Sequence, residues 1–502
     1  MACENTAELA SLAEAVASAL PEKEMETAQA TQSPVPTATA TVAPAEAAPV
    51  EAAPVETPNP VQRTKYTVRL EMEPEKGVVE GEMRVDFVNN TSATLYELVL
   101  RLWPNAVEKG CMKIGSVTQD EADTFYTLSD DGTTLFVPVN HDLVPGGEAS
   151  VFLTFRMTVP ERTGRFGKND LGVMLGNALP ILAVVEDGEW RVDPYVEVGD
   201  PFYSDLADYQ VLIRCPLTYT VAASGTAGEA RIVDSTVFEG LFTAAPARDF
   251  AVALIEDANP KDVQVGDVRV TGYDRFKDRA ALLAETSAGA LRYFAERLGP
   301  YPFDDFSAVG TELTGGMEYP GLIMVEHDRL TGSTALGELY IAHEVAHQWF
   351  YGIAGSDTVN TPWIDEALVE FLSFDYTKSV YGEEYTSELM YTRFYGMTEH
   401  TLTLPMDAPL ADYAQAGTNE YVYGVYGRGV ALYTEVYEKL GAEKFYAALK
   451  TLCDASREAG FITRAQLIKS FSDAAGEDLT PLFDKHLAAP AASGEQQATG
   501  NE

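Results

Sequence analysis

Alternating apolar and polar positions dominate the first half of the chain beyond its N-terminal segment. Over residues 66–72, and again over 151–157, every second residue is large and apolar. Strands with one buried and one solvated face produce this period of two. Pairs of residues that favour turns separate such runs, among them Asn89-Asn90, Asp131-Gly132 and Gly146-Gly147. The pattern predicts an all-β, sandwich-like domain over residues 63–257.

The hydrophobic period changes after residue 257. Residues 279–298 carry a helical pattern that ends at Gly299-Pro300, and two short strands follow over 306–312 and 322–326. Beyond Ala335 the pattern is mainly helical. Helices are predicted around residues 343 and 366 and near 383–397, 427–440, 442–456 and 464–475. This order of elements predicts an α+β domain over residues 258–488.

The two ends of the chain have a different composition. Residues 1–62 are rich in Pro, Ala and Thr and repeat the sequence Ala-Ala-Pro-Val-Glu, and residues 489–502 are polar. Such segments cannot bury enough apolar surface to form a core. We predict a disordered tether over residues 1–62 and a disordered tail over 489–502.

Composition and charge narrow the possible functions. Of the 502 residues 46% are hydrophobic and 10% aromatic, as in a globular protein. The 77 acidic residues outnumber the 35 basic ones and give a net charge of −42. This charge would repel a polyanion, so we expect no nucleic-acid partner. Four cysteines do not make a disulfide framework in so long a chain, although Cys111 and Cys215 could pair.

The most specific chemical signal is the sequence His343-Glu344-Val345-Ala346-His347. Residues i and i+4 of a helix lie one turn apart on the same face, so both imidazoles can bind one metal ion. Glu344 then points towards the water that the metal would activate. A buried helix with ordinary core histidines would leave Glu344 unexplained.

A third metal ligand is predicted on the next helix. Glu366 stands in Trp-Ile-Asp-Glu-Ala-Leu, and eighteen residues separate it from His347. Two histidines and one carboxylate leave the fourth position of a tetrahedral zinc ion open, as in catalytic zinc sites. We therefore predict one zinc ion per chain, bound by His343, His347 and Glu366. Glu370 either hydrogen-bonds a ligand or is a solvated carboxylate.

Two further segments accompany the metal motif. Gly315-Gly316-Met317-Glu318-Tyr319 precedes it, and Tyr426-Gly427-Arg428-Gly429 follows Glu366. With His-Glu-Val-Ala-His and Trp-Ile-Asp-Glu-Ala-Leu, they resemble the aminopeptidase N family of zinc metallopeptidases (gluzincins), which includes leukotriene hydrolase. The resemblance extends over about residues 65–487. It implies a thermolysin-like zinc peptidase domain behind the β domain.

The resemblance also implies a role for each motif residue. The zinc ligands would be His343, His347 and Glu366, and Glu344 would be the general base and later the general acid. Glu318 would bind the free α-amino group of the substrate, with Gly315, Gly316 and Met317 lining the same site. Tyr426 would stabilise the tetrahedral oxyanion. Tyr423 is a rival for this role, and aromatic packing is the alternative explanation for Tyr426.

The chain departs from the family in three respects. Ala367 stands where the family has glycine after the zinc-binding glutamate. The residue that the family's β domain adds to the amine pocket has no clear match, and Glu186 and Glu197 are the nearest candidates. The family's large C-terminal helical domain has no counterpart in this sequence, so we expect a more open cleft.

Together the motifs predict a zinc-dependent aminopeptidase that hydrolyses the N-terminal peptide bond of peptides through a metal-activated water. An open cleft would also suit a zinc endopeptidase or a peptidase that acts on glycopeptides. A binding or scaffold protein with a relic site is a further alternative, which the intact Glu344 opposes. We expect peptides with a free N-terminus as partners, and a monomeric protein.

The position of Cys3 predicts where the protein acts. Cys3 heads the long Pro/Ala/Thr-rich segment, an arrangement that resembles a mature bacterial lipoprotein. Two acyl chains on Cys3 would anchor the protein stably, whereas one would not. We therefore expect membrane anchoring through Cys3 and an extracellular, cell-surface location. An incidental cysteine near the terminus is the alternative.

Overall fold

The computed structural model describes residues 62–331, 334–394, 396–397 and 400–490. The predicted tether and tail therefore lie almost wholly outside the described residues. Among the helices of the described part, none is both long and apolar enough to cross a membrane.

The first domain consists of three β-sheets and one hairpin. Its strands are β1 (Thr64–Glu73), β2 (Val78–Val88), β3 (Leu95–Arg101), β4 (Met112–Gln119), β5 (Ala122–Asp123), β6 (Thr127–Leu128), β7 (Thr134–Leu143), β8 (Glu148–Thr158), β9 (Phe166–Asn169), β10 (Gly172–Leu175), β11 (Ile181–Leu182), β12 (Val185–Glu186), β13 (Glu189–Trp190), β14 (Ala207–Pro216), β15 (Tyr219–Ala223), β16 (Thr226–Val233), β17 (Val237–Ala247) and β18 (Val252–Glu256). The eight-stranded sheet has the order β16-β17-β14-β1-β2-β8-β4-β5. The four-stranded sheets have the orders β15-β18-β10-β9 and β11-β3-β7-β6, and β12 pairs with β13.

The period of two in the sequence corresponds to one buried face of each strand. In β1, Tyr66, Val68, Leu70 and Met72 are buried, whereas the residues between them are exposed or half-buried. Burial of each such side chain contributes about 1.5–3 kcal/mol, which fixes the register of the strand. The predicted β domain is confirmed. A single-turn helix, α1 (Pro104–Val107), interrupts the strands.

Two cysteines of the β domain that could have paired are both free. Cys111 and Cys215 are buried, and burial raises the pKa of the Cys111 thiol to about 11 and that of Cys215 to about 12. Both thiols therefore stay protonated and pack as small apolar side chains.

The second domain begins with a mixed five-stranded sheet. Its strands are β19 (Lys261–Val265), β20 (Val268–Tyr273), β21 (Asp305–Thr311), β22 (Gly316–Met317) and β23 (Leu322–Glu326), in the order β19-β20-β21-β23-β22. The two-residue strand β22 is antiparallel to β23 and forms the edge of the sheet. This edge faces the metal motif, as the thermolysin-like layout predicts.

Helices make up the rest of this domain. They are α2 (Lys277–Leu298), α3 (Thr334–Ala346), α4 (Trp363–Tyr381), α5 (Glu383–Phe394), α6 (Leu410–Ala416), α7 (Thr418–Tyr421), α8 (Arg428–Leu440), α9 (Ala442–Ala459), α10 (Arg464–Ala475) and α11 (Thr480–Leu487). The helix of the metal motif ends at Ala346, one residue before His347. The N–H of His347 still donates to the carbonyl of His343, so the two side chains keep their helical spacing.

Buried polar contacts join the two domains beside the metal motif. The Tyr319 hydroxyl donates to Oδ1 of Asn177 (2.8 Å), and Nδ2 of Asn177 donates to Oδ2 of Asp249 (2.7 Å). Arg248 of the β domain donates through Nε to the carbonyl of Tyr351 (2.6 Å). The first contact holds a loop of the β domain against Tyr319, the residue that follows Glu318, and the Arg248 contact holds another against the chain just beyond the metal motif.

Candidate active site

Three side chains predicted to bind a metal meet between α3 and α4. Nε2 of His343 lies 3.2 Å from Nε2 of His347 and 3.2 Å from Oε2 of Glu366. Nε2 of His347 lies 3.5 Å from the same carboxylate oxygen. All three side chains are buried.

The spacing of these atoms fits a zinc ion. Ligand atoms in a tetrahedral site with bonds of about 2.1 Å lie about 3.4 Å apart, and the three atoms here are 3.2, 3.2 and 3.5 Å apart. Burial opposes ionisation of Glu366, but hydrogen bonds from His343 and His347 lower its pKa well below the usual range. The carboxylate is therefore ionised, as a metal ligand must be.

A second carboxylate orients each histidine. Nδ1 of His343 lies 2.8 Å from Oε2 of Glu370, and Nδ1 of His347 lies 2.8 Å from Oδ1 of Asp365. An Nδ1–H that donates to a carboxylate leaves the lone pair of Nε2 free for a metal. Glu370 is buried in this role and is not a solvated carboxylate.

Glu344 lies on α3 next to the three predicted ligands. Carboxylate oxygens of Glu344 and Glu318 and a ring nitrogen of His347 lie within 4.8 Å of one another. Burial raises the pKa of Glu344 to about 7. A carboxylate with this pKa can both accept and return a proton near neutral pH.

Gly316 of β22 packs directly on the carboxylate of Glu344. A Cβ at position 316 would lie 2.0 Å from Oε1 and 2.4 Å from Cδ of Glu344. The second glycine of the Gly-Gly-Met-Glu-Tyr segment is therefore required by this contact. The N–H of Gly315 donates to Oε2 of Glu326 (3.0 Å) and is engaged within the protein.

Gly316→Ala is expected to lower kcat/KM on peptides by about a hundredfold, because the new methyl group displaces the Glu344 carboxylate by an ångström or more. Steady-state kinetics on a peptide that the wild type cleaves measures the effect. Circular dichroism and metal content serve as controls, and both are expected to stay unchanged. An unchanged kcat/KM would show that Glu344 does not act from its position against β22.

Glu318 follows β22 and is buried next to the metal motif. Burial and the neighbouring Asp200 raise the pKa of Glu318 well above its usual value. The pKa of a carboxyl in this position would fall on contact with a cation. This end of the site can therefore bind an ammonium group.

A second acidic side chain reaches the same place from the β domain. Asp200 lies in the loop before β14, next to Glu366, and has Oδ1 2.5 Å from Nη1 of Arg165. Burial raises the pKa of Asp200, while Arg165 opposes the rise. Sequence reasoning missed Asp200, because only the fold of the loop before β14 brings it to the metal site.

The two candidates considered from the sequence for this position lie elsewhere. Glu197 is exposed. Glu186 pairs with Arg191 and accepts a hydrogen bond from the Tyr203 hydroxyl (2.7 Å). Neither shares the place of Asp200 next to Glu318.

Tyr426 lies beside the metal-binding residues, in a π-helical turn (Val422–Gly427) ahead of α8. Its ring centroid is 5.8 Å from that of His343, whereas the rival Tyr423 packs on His400 at 5.7 Å. Burial raises the pKa of Tyr426 well above 10, so the phenol keeps its proton and can donate a hydrogen bond. Tyr421 packs edge-on against Tyr426 at 5.5 Å and fixes the ring.

The change from glycine to Ala367 is explained by the packing of α8 on α4. A Cβ at Gly429 would lie 2.3 Å from Cβ of Ala367, so the two helices are in close backbone contact here. Only a small side chain fits at position 367. This contact holds the Tyr426 turn against the helix that carries Glu366.

Comparison with known proteins agrees with the motifs. Residues 283–486 match the family model described as the peptidase family M1 domain. Aminopeptidase 2 of Candida albicans is 24% identical over 226 residues, which are 40% of this chain and 23% of that protein. Human endoplasmic reticulum aminopeptidase 1 is 24% identical over 166 residues, which are 30% of this chain and 17% of that protein. The chain thus matches less than a quarter of the length of these two relatives.

Solved structures share the fold over nearly the whole chain. An M1 zinc metallopeptidase from Deinococcus radiodurans superposes with a TM-score of 0.64 at 15% identity, covering 88% of this chain and 98% of that chain. A mutant of that protein bound to a Tyr-Ser-Ala substrate gives a TM-score of 0.65 at 16% identity, with 85% and 94% covered. The predicted fold class, a β domain followed by a catalytic domain, is confirmed.

Proposed function

Because residues 283–486 belong to the M1 family of peptidases, as the motifs implied, we propose that this protein is a zinc-dependent aminopeptidase. The protein removes the N-terminal residue of peptides and holds one zinc ion on His343, His347 and Glu366. The observation that carries it is the buried carboxyl group of Glu318, with the part-buried Asp200 beside it, at the end of a donor set that fits zinc.

The residues of the chain divide the reaction between them. Zinc, when bound, supplies Lewis-acid polarisation of the scissile carbonyl and lowers the pKa of water. Glu344 accepts the proton of the attacking water and delivers it to the leaving amine. The Tyr426 hydroxyl donates a hydrogen bond to the oxygen on which negative charge develops. Glu318 and Asp200 pair with the α-ammonium group, so the bond next to a free N-terminus is the one presented for cleavage.

A paired peptide library tests the proposed activity. Each peptide is offered with a free and with an acetylated N-terminus, and products are followed by mass spectrometry. Stepwise shortening of the free peptides alone is expected, because an acetylated terminus leaves the buried Glu318 without a cationic partner. Internal cleavage of both forms would identify an endopeptidase and withdraw the role given to Glu318.

We also propose that Cys3, which lies outside the described residues, carries acyl chains that anchor the protein at the bacterial cell surface. Its support is the position of Cys3 ahead of a long Pro/Ala/Thr-rich segment. Intact-mass spectrometry of the protein isolated from the organism that makes it is expected to show added acyl mass on Cys3. An unmodified Cys3 in that sample would end this proposal.

A further inference from the structure

The wall of the cleft next to Glu318 carries a guanidinium group that peptide hydrolysis does not use. Arg165 lies just before β9 of the β domain, and its side chain is 27% exposed. Its Nη1 lies 2.5 Å from Oδ1 of Asp200 and 2.8 Å from Sδ of Met317, the residue before Glu318. The cation therefore touches both sides of the amine-binding end.

Arg165 has unused capacity for hydrogen bonds. A guanidinium group offers five N–H donors in a planar fork. Among the described residues, Arg165 donates hydrogen bonds through Nη1 alone. Its Nε and Nη2 have no hydrogen-bond partner there and are not buried. These two nitrogens are therefore accessible to a ligand.

Groups of both charges surround Arg165. The guanidinium carbon lies 5.1 Å from the ring centroid of Phe202. Burial raises the pKa of the neighbouring Tyr195; Arg165 and Arg162 oppose the rise, whereas Glu197 and Asp200 add to it. Arg165 pairs with Asp200 through Nη1 and keeps further N–H donors, which are the groups here that could hold an anionic part of a ligand.

We propose that Arg165 selects peptides whose N-terminal residue has an anionic side chain, aspartate or glutamate. This inference rests on the proposed aminopeptidase function. When the α-ammonium group lies between Glu318 and Asp200, the first side chain starts two bonds away. Its carboxylate can then reach Nε and Nη2 of the guanidinium that contacts Asp200 and Met317, and accept two charge-assisted hydrogen bonds.

If Arg165 acted only through its charge, the expected effect of its loss on substrate preference would differ. If Arg165 only offsets the charge of Asp200 and Glu318, its loss should change the binding of the ammonium group equally for all peptides. The ratio of kcat/KM for two peptides that begin with Glu and Gln, and are otherwise identical, cancels that common effect. Glu and Gln have the same shape, so the ratio reports the charge of the first side chain.

The experiment measures this ratio for the zinc-loaded wild type and for Arg165→Gln and Arg165→Lys. In the wild type we expect the Glu peptide to be cleaved about ten- to a hundredfold better than the Gln peptide. In Arg165→Gln the ratio should fall to about one or below, and Arg165→Lys should lie between, since a point charge remains without the fork. Arg156→Gln, a change on the far strand β8 where Arg156 pairs with Glu80, serves as the matched control and should keep the wild-type ratio.

Each outcome separates the inference from the function beneath it. A wild-type ratio near one, with ready cleavage of neutral peptides, would overturn the role of Arg165 and leave the aminopeptidase intact. A high ratio that persists in Arg165→Gln would assign the preference to another residue. Failure to cleave any peptide with a free N-terminus would contradict the proposed function itself. The ratio measured for the wild type can refute the inference by itself. The test therefore does not depend on whether the Arg165 variants fold.

Discussion

Glu344→Gln is expected to lower kcat on peptides by about 10²- to 10⁴-fold, with little change in KM. The amide has the size of the carboxylate and fits the same place against Gly316. It cannot accept the proton of the attacking water, so the step that forms the new bond loses its base. Because Glu344 is not among the three predicted ligands, zinc content measured by mass spectrometry should stay at the wild-type value.

A glutamate on the same helix provides the matched control for this substitution. Glu338 lies on α3, one turn and a half before the metal motif, and is half-buried outside the site. Glu338→Gln makes the same chemical change on the same element and is expected to retain activity. Full activity of Glu344→Gln would refute the mechanism, and loss of zinc in it would mean that Glu344 acts on the metal site instead.

Glu318→Ala should lower kcat/KM on peptides with a free N-terminus by about a hundredfold or more. The substitution removes a carboxylate from a buried site and leaves the substrate ammonium short of a partner, which costs about 3–5 kcal/mol for buried pairs. Much of the loss should appear in KM, because the ammonium is bound before the chemical step begins. Any residual cleavage of acetylated peptides should stay unchanged, since those peptides never present the charge.

The control for Glu318→Ala is Glu312→Ala. Glu312 is exposed in the loop that leads into β22. Its replacement by alanine removes a carboxylate from the same segment without a change in the site. Kinetics on matched free and acetylated peptides compares the two variants. Equal losses on both peptide forms would mean that Glu318 supports the structure of the site and does not recognise the N-terminus.

The metal-binding residues could be predicted from the sequence because local geometry fixes them. The spacing of His343 and His347 places two nitrogens on one face wherever the segment is helical, and the structure brings them within 3.2 Å of each other. Glu366 required one further assumption, that the next helix packs alongside. Burial of both helices in the core supplies that contact, since α4 is buried along most of its length.

The substrate end of the site could not be predicted in this way. Asp200 and Arg165 lie in loops of the β domain, and nothing in their local sequence marks them. Their position depends on how the two domains meet, through long-range contacts such as that of Tyr319 with Asn177. The hydrophobic pattern predicts the strands on either side of a loop, but it carries no information on the direction in which the loop leaves the sheet.

The contacts of Asn177 and Arg248 across the domain boundary have a consequence for how this protein can diversify. In the proposed function, the helices that carry His343, His347 and Glu366 supply the groups that cleave the bond, and loops of the β domain help to select which bond is cleaved. Substitutions, insertions or deletions around Arg165 can alter substrate preference and leave the predicted zinc ligands in place, whereas changes at Asp200 also affect its neighbour Glu366. Related chains with the same metal motif can therefore prefer different peptides. Those preferences should depend on the loops between strands near residues 165 and 200.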